Sequence, residues 1–230
     1  MTSPVSLVKI SKTQTLDEIA YAQIKEAILN GAFQPGAFLA ETRLAEELGI
    51  SKTPIRKALG RLQQESFLTN IPFDGYYVAD ISIDDILEVY QLREILECFL
   101  VQATIGRFSP AELEAMRAIL DRAAAALEQG NHVGFVEFNR QFHHTFDRKY
   151  DNQRITNVLA NLDEHVQRIL VYILPIGQAE LAASHAEHYL ILDAVTQEDM
   201  AAAVDLMRRH VARFRDVLVA VLERQPELIA

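Results

Sequence analysis

The sequence predicts a mainly α-helical protein, with three helices and a β-hairpin at its N-terminus followed by an all-α bundle of about six helices. Apolar residues recur at helical spacing through most of the 230 residues, which indicates amphipathic helices. The pattern changes between Leu68 and Val78, where Ile, Phe, Tyr and Val surround the dipeptide Asp74-Gly75. Asp-Gly readily supplies the positive φ angles of a tight turn, so we expect a hairpin here with Asp74-Gly75 at its tip.

The balance of charged residues changes near residue 80, just after the predicted hairpin. Residues 1–80 contain 8 Lys and Arg against 9 Asp and Glu, whereas residues 81–230 contain 14 against 23, and the formal net charge is -10. This acidity argues against a protein that covers nucleic acid or anionic membrane with its whole surface. We expect two units with different partners, namely a domain over residues 16–80, after a flexible tail over 1–15, and a helical domain over 81–230.

The cysteine content and the apolar runs bear on cellular location. The single cysteine, Cys98, has no partner for an internal disulfide, which fits a reducing compartment. No apolar run approaches the ~20 residues that cross a bilayer, and the N-terminal segment lacks the order of a signal peptide. We therefore expect a cytoplasmic protein with no membrane contact.

The N-terminal pattern predicts a helix-turn-helix. Apolar positions repeat at helical spacing over residues 16–28 and again in a shorter segment that ends at Gly49. A third helix is predicted to begin near Thr53-Pro54, because proline is favoured in the first turn of a helix, and to end near Glu65. Helix, Gly-containing turn and helix, followed by a hairpin wing over residues 69–78, is the outline of a winged helix-turn-helix.

The third helix carries the basic stretch SKTPIRKALGRL, over residues 51–62, with four cations and no carboxylate. Arg56 and Lys57 fall on the side of the helix away from its apolar positions. An α-helix fits the major groove of B-DNA, where Arg makes a bidentate pair of hydrogen bonds to guanine. The stretch therefore predicts a DNA-recognition helix; the alternative is a solvated helix face that is merely basic.

The run LAEELGISKTPIRKALGRLQQESFL, preceded by ILNGAFQPGAFLAETR and followed by GYYVADIS, resembles the winged-helix domain of the GntR family of bacterial transcription regulators over about residues 16–80. The family usually has Arg where this chain has Lys52, and often where it has Thr42, and both differences remove a planar donor fork. Arg43 and Arg61 are interpreted as phosphate contacts or as solvated charges. The DNA contacts that the resemblance implies are Ser51, Lys52, Thr53 and Arg56, with Gly75 at the wing tip.

The second part of the chain is predicted to be helical throughout. Breaks rich in Gly, Pro, Ser, Asn and Asp separate its long helical patterns, and short connections favour antiparallel neighbours in a bundle. The predicted helices cover about residues 82–107, 110–128, 132–149, 152–173, 178–196 and 199–223.

All seven histidines lie in this helical part. Asn139 and His143 are spaced i, i+4 and so share one helix face, while His188 and His210 stand beside inward-facing apolar residues of two later helices. Facing helices of a bundle are where metal sites are assembled. The spacing therefore admits a metal site, although a histidine on a helix is more often a surface residue or a satisfied core group.

The segments VYQLREILE, FNRQFHHTF, AEHYLILDAV and MRRHV resemble the FCD ligand-binding domain of one GntR branch, over about residues 83–222. The resemblance implies a divalent metal held by three histidines and an Asp, which is Asn139 here, and imidazole-rich sites suit zinc or nickel. With only neutral protein ligands the ion would keep its full positive charge, which favours an anionic partner, so we expect a carboxylate effector that completes the coordination of the metal. Arg93 is predicted to hold the effector or to pair with Glu97. The implied ligands are Asn139, His143, His188 and His210, with His144 and His185 as less favoured substitutes.

These patterns predict a transcription regulator, not an enzyme, whose affinity for operator DNA is controlled by a small carboxylate bound near a divalent metal. A palindromic operator would be bound by a homodimer formed through the helical domain, because a single winged helix reads few base pairs. One alternative is a metal-dependent hydrolase, since three histidines with an open position resemble a catalytic zinc site. Glu137 and Glu187 lie nearby in sequence, but neither belongs to a zincin motif. The other alternative is an interaction module that senses no ligand.

Overall fold

The computed structural model describes residues 14–173 and 178–224, and these residues form two compact units. Among the described residues, the N-terminal unit contains 14–28 and 36–79, and the helical unit contains 29–35 and 80–224.

The N-terminal unit is a winged helix with a small antiparallel sheet in the strand order β1-β3-β2. Its elements are α1 (Leu16–Leu29), β1 (Phe38–Leu39), α2 (Glu41–Leu48), α3 (Lys52–Gln64), β2 (Leu68–Ile71) and β3 (Gly75–Val78). The predicted three helices and hairpin are confirmed, and β1 is an addition, because a strand of two residues is too short to show a periodicity. Apolar side chains from α1, α3 and the hairpin, among them Ile24, Leu59 and Phe67, form the core.

The turn between α2 and α3 presents the start of α3 to solvent. Gly49 ends α2 in the left-handed conformation, with φ of 65° and its N–H directed to the Ala45 and Glu46 carbonyls. Ser51 occupies the N-cap of α3, yet its side chain makes no capping hydrogen bond. The first turn of α3 therefore begins with an exposed hydroxyl residue that does not cap the helix.

The hairpin differs from the predicted one at its tip. Residues 72–74 form the turn, Phe73 is fully exposed with a φ of 68°, and Gly75 is already paired with Ile71 in the sheet. Gly75 has a φ of 132°, and a Cβ built on it would lie 2.8 Å from Cε2 of Phe38. Gly75 therefore has a backbone conformation that residues with a Cβ rarely adopt, the Phe38 ring of β1 lies against it, and the tip is Phe73, not Asp74-Gly75.

The helical unit is a bundle whose described helices match the predicted six within a few residues. They are α4 (Ile83–Thr104), α5 (Pro110–Glu128), α6 (His132–Tyr150), α7 (Gln153–Ile173), α8 (Gln178–Thr196) and α9 (Met200–Arg224). Reciprocal capping boxes start α4 at Ser82 and α5 at Ser109, and the side chain of Asn131 caps α6. Helix α4 packs against α6, α7 and α9, which places its inner face beside the histidine-bearing helices. None of the described helices is both long and apolar enough to cross a membrane.

Candidate metal centre and DNA-binding helix

Three histidines from three helices converge at one point of the bundle. Nε2 of His188 on α8 lies 3.0 Å from Nε2 of His143 on α6 and 3.0 Å from Nε2 of His210 on α9. One ring nitrogen from each residue falls within 4.8 Å of the others. His188 and His210 are buried, and His143 is nearly so. The geometry brings together the three histidines that the sequence spacing singled out.

The outward ring nitrogens of two of these histidines face carboxylates. Nδ1 of His143 is 2.6 Å from Oε2 of Glu97, and Nδ1 of His210 is 2.8 Å from Oε2 of Glu187. A carboxylate opposite Nδ1 favours the tautomer protonated on that nitrogen, so the Nε2 lone pair points inward. The centre thus brings two acceptor nitrogens, from His143 and His210, to within 3.0 Å of Nε2 of His188, an arrangement that a bound cation would satisfy.

The protonation state of the histidines also fits a metal-binding site. Burial, reinforced by the neighbouring histidines, lowers the pKa of His188 well below its usual value. Burial also lowers the pKa of His210 to about 4, although its contact with Glu187 opposes the shift. Both imidazoles are therefore neutral at pH 7, which is the form that binds a metal.

Asn139, the fourth predicted ligand, lines a cavity beside the histidines. It lies one helical turn before His143. Its side-chain oxygen is buried and has no hydrogen-bond partner among the described residues. A buried amide oxygen is normally hydrogen-bonded, so an unused one beside a histidine cluster fits a metal ligand. Three imidazole nitrogens and one neutral carbonyl oxygen form a set that suits zinc, nickel or a similar divalent ion.

The charges behind the histidines cancel in pairs. Arg93 Nε lies 2.8 Å from Oε1 of Glu97, and Arg213 Nε lies 2.5 Å from Oε1 of Glu187. Although burial opposes ionisation, Arg93 and then His143 hold the pKa of Glu97 well below its usual range. Each carboxylate that orients a histidine is therefore matched by an arginine, and Arg213 is shared with the more exposed Glu180 at 3.1 Å, so the buried second layer adds no net positive charge to the centre.

The two substitute histidines are not part of the convergent group. His144 lies between two carboxylates, with Nδ1 3.0 Å from Asp147 and Nε2 2.7 Å from Asp163. These hydrogen bonds raise its pKa to about 9, so it is a cation that links α6 to α7. The His185 ring packs against Phe135 and lies 6.2 Å from the His188 ring, measured between centroids. His144 is accounted for by ion pairing, whereas His185 packs against aromatic rings and neither of its buried ring nitrogens has a hydrogen-bond partner among the described residues.

A cavity of about 210 Å³ opens beside the cluster. The three convergent histidines and Asn139 line part of it, and Arg93 lines it while its Nε is bonded to Glu97. Both interpretations of Arg93, as an effector contact and as a partner of Glu97, are therefore compatible with the geometry. The apolar part of the lining is formed by Val133, Phe135, Val136, Val166, Leu170, Val171, Leu181, Val211 and Phe214.

The residues expected to contact DNA are exposed at the start of α3 and on α2. Lys52 and Thr53 open α3 next to Ser51, and all three are exposed. Arg56 is 65% exposed, and its Nε lies 2.6 Å from Oε2 of Glu41. Arg43 is 78% exposed and pairs with Glu47 at 2.8 Å. Both arginines therefore keep most of their surface free, in ion pairs that DNA phosphates or bases could replace.

Two predicted candidates have structural explanations of their own. The Arg61 guanidinium lies 3.7 Å from the centre of the Tyr21 ring and pairs with Glu65, so it belongs to the packing of α1 against α3. Gly75 pairs with Ile71 in the sheet, has a φ of 132° and lies against the Phe38 ring. Its conformation and packing therefore account for the glycine without a position at the tip.

Two family models match the chain. The model of bacterial regulatory proteins of the gntR family matches residues 16–78, and the FCD domain model matches residues 88–213, more than half of the chain. The chain belongs to the GntR family. It is a DNA-binding transcription regulator of that family with an FCD domain, as the sequence motifs indicated, and the FCD domain implies a small-molecule effector.

Full-length relatives agree with this assignment. An uncharacterised HTH-type transcriptional regulator of Bacillus subtilis, YdhC, is 28% identical over 210 residues, which cover 90% of this chain and 92% of YdhC. The HTH-type transcriptional regulator McbR of Escherichia coli is 27% identical over 177 residues, covering 76% and 80% of the two chains.

Solved structures show the same fold. The E. coli McbR/YncC structure aligns with a TM-score of 0.74 at 24% identity, covering 90% of this chain and 99% of that one. A putative GntR regulator from Rhodococcus sp. RHA1 aligns with a TM-score of 0.73 at 20% identity, covering 89% and 97%. The predicted fold class is confirmed.

Sequence reasoning missed the second layer of the centre. Glu187 was considered as a possible general base, whereas the structure pairs it with His210 and Arg213. These residues lie on different helices, 23 and 26 positions apart, so no local spacing reveals the contact. The Arg93–Glu97 pair could be predicted from the sequence because it has the i, i+4 spacing of a helix.

Proposed function

We propose that this GntR regulator binds a palindromic operator as a homodimer, and that a small carboxylate bound at a divalent metal in the helical unit changes its operator affinity. The observation that carries the proposal is the convergence of three Nε2 atoms beside a cavity whose lining includes an unpartnered Asn139 oxygen.

His143, His188, His210 and Asn139 would hold the ion, with zinc or nickel as the best match to their donor atoms. When bound, the ion supplies positive charge and an open coordination position. Because all four ligands are neutral and the second-layer charges cancel, that charge remains uncompensated toward the cavity. An anionic effector is the ligand that such a site favours, and Arg93, whose Nε is bonded to Glu97, stands in the lining with guanidinium N–H groups that could donate to it.

DNA recognition is assigned to the first turns of α3. Arg56 would exchange its bond to Glu41 for a bidentate contact with a base, and Ser51, Lys52 and Thr53 would contact bases or phosphates beside it. Arg43 on α2 would position the domain through phosphate. Exposure of these groups supports the assignment.

Self-association is supported by an exposed apolar stripe on α4. Leu92, Ile95 and Phe99 follow the i, i+3, i+7 pattern of one helix face and are 47%, 59% and 42% exposed. Such a stripe marks a contact surface more often than a free one. We expect light scattering to give the mass of a dimer for the natural chain and a shift toward the mass of a monomer for Ile95→Glu. A dimer mass for Ile95→Glu would show that this face of α4 is not part of the interface.

The hydrolase alternative is weakened because both candidate general bases are already held in hydrogen bonds and ion pairs. Glu187 contacts His210 and Arg213 through separate oxygens, and Glu137 is held by Arg140 and Gln141. Neither carboxylate is left free to activate a metal-bound water.

The experiment is a measurement of operator affinity with and without metal. A duplex selected from random DNA would be titrated with zinc-loaded protein, metal-free protein and His188→Ala, each with and without a panel of carboxylates. We expect at least one acid to change the operator affinity by about 5- to 150-fold, the usual range of such coupling, and only in the zinc-loaded protein. An equal response in the metal-free protein would refute the role of the metal.

A further inference from the structure

The cavity contains a hydrogen-bond donor that the metal centre does not use. Tyr90 on α4 is 1% exposed and lines the cavity, and no described residue accepts a hydrogen bond from its phenol hydrogen, since the neighbouring Arg93 can only donate to the phenol oxygen. Burial raises its pKa to about 12, so it stays protonated at neutral pH. A buried hydroxyl normally finds an acceptor, and one left without an acceptor in the lining of a cavity points to a ligand that supplies it.

Tyr90 stands beside the other groups that favour an anion. It precedes Arg93 by one helical turn, and the guanidinium carbon of Arg93 lies 5.2 Å from the centre of the Tyr90 ring. Arg93 is a cation that only donates, so it leaves the phenol hydrogen unused. A carboxylate can accept at both oxygens, and it could therefore bridge Tyr90 and the metal.

Other polar groups of the lining are less available. Glu137 and Arg140 are bonded to each other and are 45% and 40% exposed, so they belong to the entrance. Asp163 is held by His144. Ser184 is the other buried hydroxyl residue of the lining. Apart from the histidines, the buried donors of the described lining are thus Tyr90, Arg93 and Ser184.

The rest of the interior is apolar. Phe135, Leu170, Leu181 and Val211 line it, and each is at least 95% buried. A substrate with many hydroxyl groups would leave them without partners against these side chains, which is unfavourable. An apolar cavity of about 150 Å³ accommodates benzene, so about 210 Å³ takes a molecule of roughly 8 to 12 non-hydrogen atoms.

We propose that the effector is a small monocarboxylate with an apolar body, an aromatic or short aliphatic acid, whose carboxylate accepts a hydrogen bond from Tyr90. This rests on the proposed function, because it places the same carboxylate at the metal. It excludes polyhydroxylated sugar acids of similar size.

The class of ligand is tested by calorimetry on the zinc-loaded full chain. The probes are benzoate, phenylacetate and hexanoate, with erythronate as the hydroxylated acid of matched size and phenylacetamide as the uncharged analogue. We expect the tightest apolar acid to bind at least about tenfold better than erythronate, and phenylacetamide to bind at least tenfold more weakly than phenylacetate. Tighter binding of erythronate would overturn this inference while leaving metal-linked sensing intact. If none of these acids bound, this inference would fail, and the proposed function would be decided by the response of operator affinity to the wider panel of carboxylates.

The role of Tyr90 is tested by Tyr90→Phe, which removes one oxygen and keeps the ring that packs near Phe214. We expect affinity for the best apolar acid to fall by about 10- to 100-fold, as for a lost hydrogen bond to a charged group, with unchanged zinc affinity and unchanged or higher thermal stability. Tyr189→Phe is the matched control, since its hydroxyl bonds Asp121 outside the cavity lining; it should keep effector affinity within about twofold. Equal acid affinity in Tyr90→Phe and the natural chain would overturn the assignment.

Discussion

The two units hold their functional groups in opposite ways. In the N-terminal unit the candidate DNA contacts are exposed, and Arg56 and Arg43 rest in surface ion pairs with Glu41 and Glu47. In the helical unit the candidate ligands are buried, and the side-chain oxygen of Asn139 has no partner among the described residues. Exposed ion pairs contribute little to stability, so DNA can replace them at small cost. Buried unpaired groups are unfavourable until a ligand arrives, so the helical unit should respond more strongly to its ligand.

The largest expected effect is loss of the metal from His188→Ala. This change removes the central nitrogen of the cluster, so zinc affinity should fall by more than about 100-fold, beyond the range seen for second-layer residues. His185→Ala is the matched control, because it removes a buried histidine on the same helix that is outside the cluster. Zinc stoichiometry after dialysis, measured by elemental analysis, checks both. Equal zinc retention in the two variants would mean that the cluster is only a packed core.

The next effect concerns the exposed unit. Arg56→Ala should weaken binding to a selected operator by about 5- to 150-fold and relax the base preference at one position, while Arg43→Ala should weaken all duplexes about equally and lower the salt slope by about one. Fluorescence anisotropy across a salt series separates the two. Identical salt and sequence responses in both variants would contradict the division into a base contact and a phosphate contact.

A smaller effect is expected in the second layer of the metal centre. Glu187→Gln keeps an acceptor for Nδ1 of His210 but loses the negative charge, so zinc affinity should fall by about tenfold, the lower end for such residues. Competition with a chromogenic chelator measures the change. Asp121→Asn, which alters a surface partner of Tyr189, should leave zinc affinity unchanged. If Glu187→Gln had the same zinc affinity as the natural chain, the Glu187 carboxylate would have no role in metal binding.

The smallest effect tests the reason for a glycine in the wing. Gly75→Ala should destabilise the N-terminal unit by about 1–2 kcal/mol, since its φ is 132° and the new Cβ would meet the Phe38 ring. Gly60→Ala lies within α3 with no atom near the new Cβ and should stabilise it by about 0.5–1 kcal/mol. Urea unfolding monitored by circular dichroism checks both signs. If Gly75→Ala left the free energy of unfolding unchanged, the structural explanation of this glycine would be wrong, and only its predicted DNA contact would remain.

Local signals predicted most of the fold. Helix starts at Ser82 and Ser109 were recoverable because their capping boxes lie within four residues of sequence. The strand β1 was missed because it is defined by pairing with β3, not by its own two residues. The hairpin tip was predicted at Asp74-Gly75, whereas residues 72–74 form the turn and Gly75 already pairs with Ile71, a register set by strand pairing that the dipeptide alone does not specify.

The candidate site divides in the same way. Asn139 and His143 were found through helical spacing, and His188 and His210 through the inward-facing apolar residues beside them, while the family resemblance joined the four into one ligand set. Their convergence, the pairing of Glu187 with His210 and the unused phenol hydrogen of Tyr90 depend on how different helices pack. Such contacts have no period in the sequence, so only the three-dimensional structure reveals them.

The most direct test of the coupling between the two units is reciprocal. The affinity of the zinc-loaded protein for its best carboxylate would be measured by calorimetry in the absence and presence of saturating operator duplex. If the acid changes operator affinity by a given factor, the operator must change acid affinity by the same factor. We expect the two factors to agree. Acid binding that is the same with and without operator would contradict the claim that the metal centre controls DNA binding.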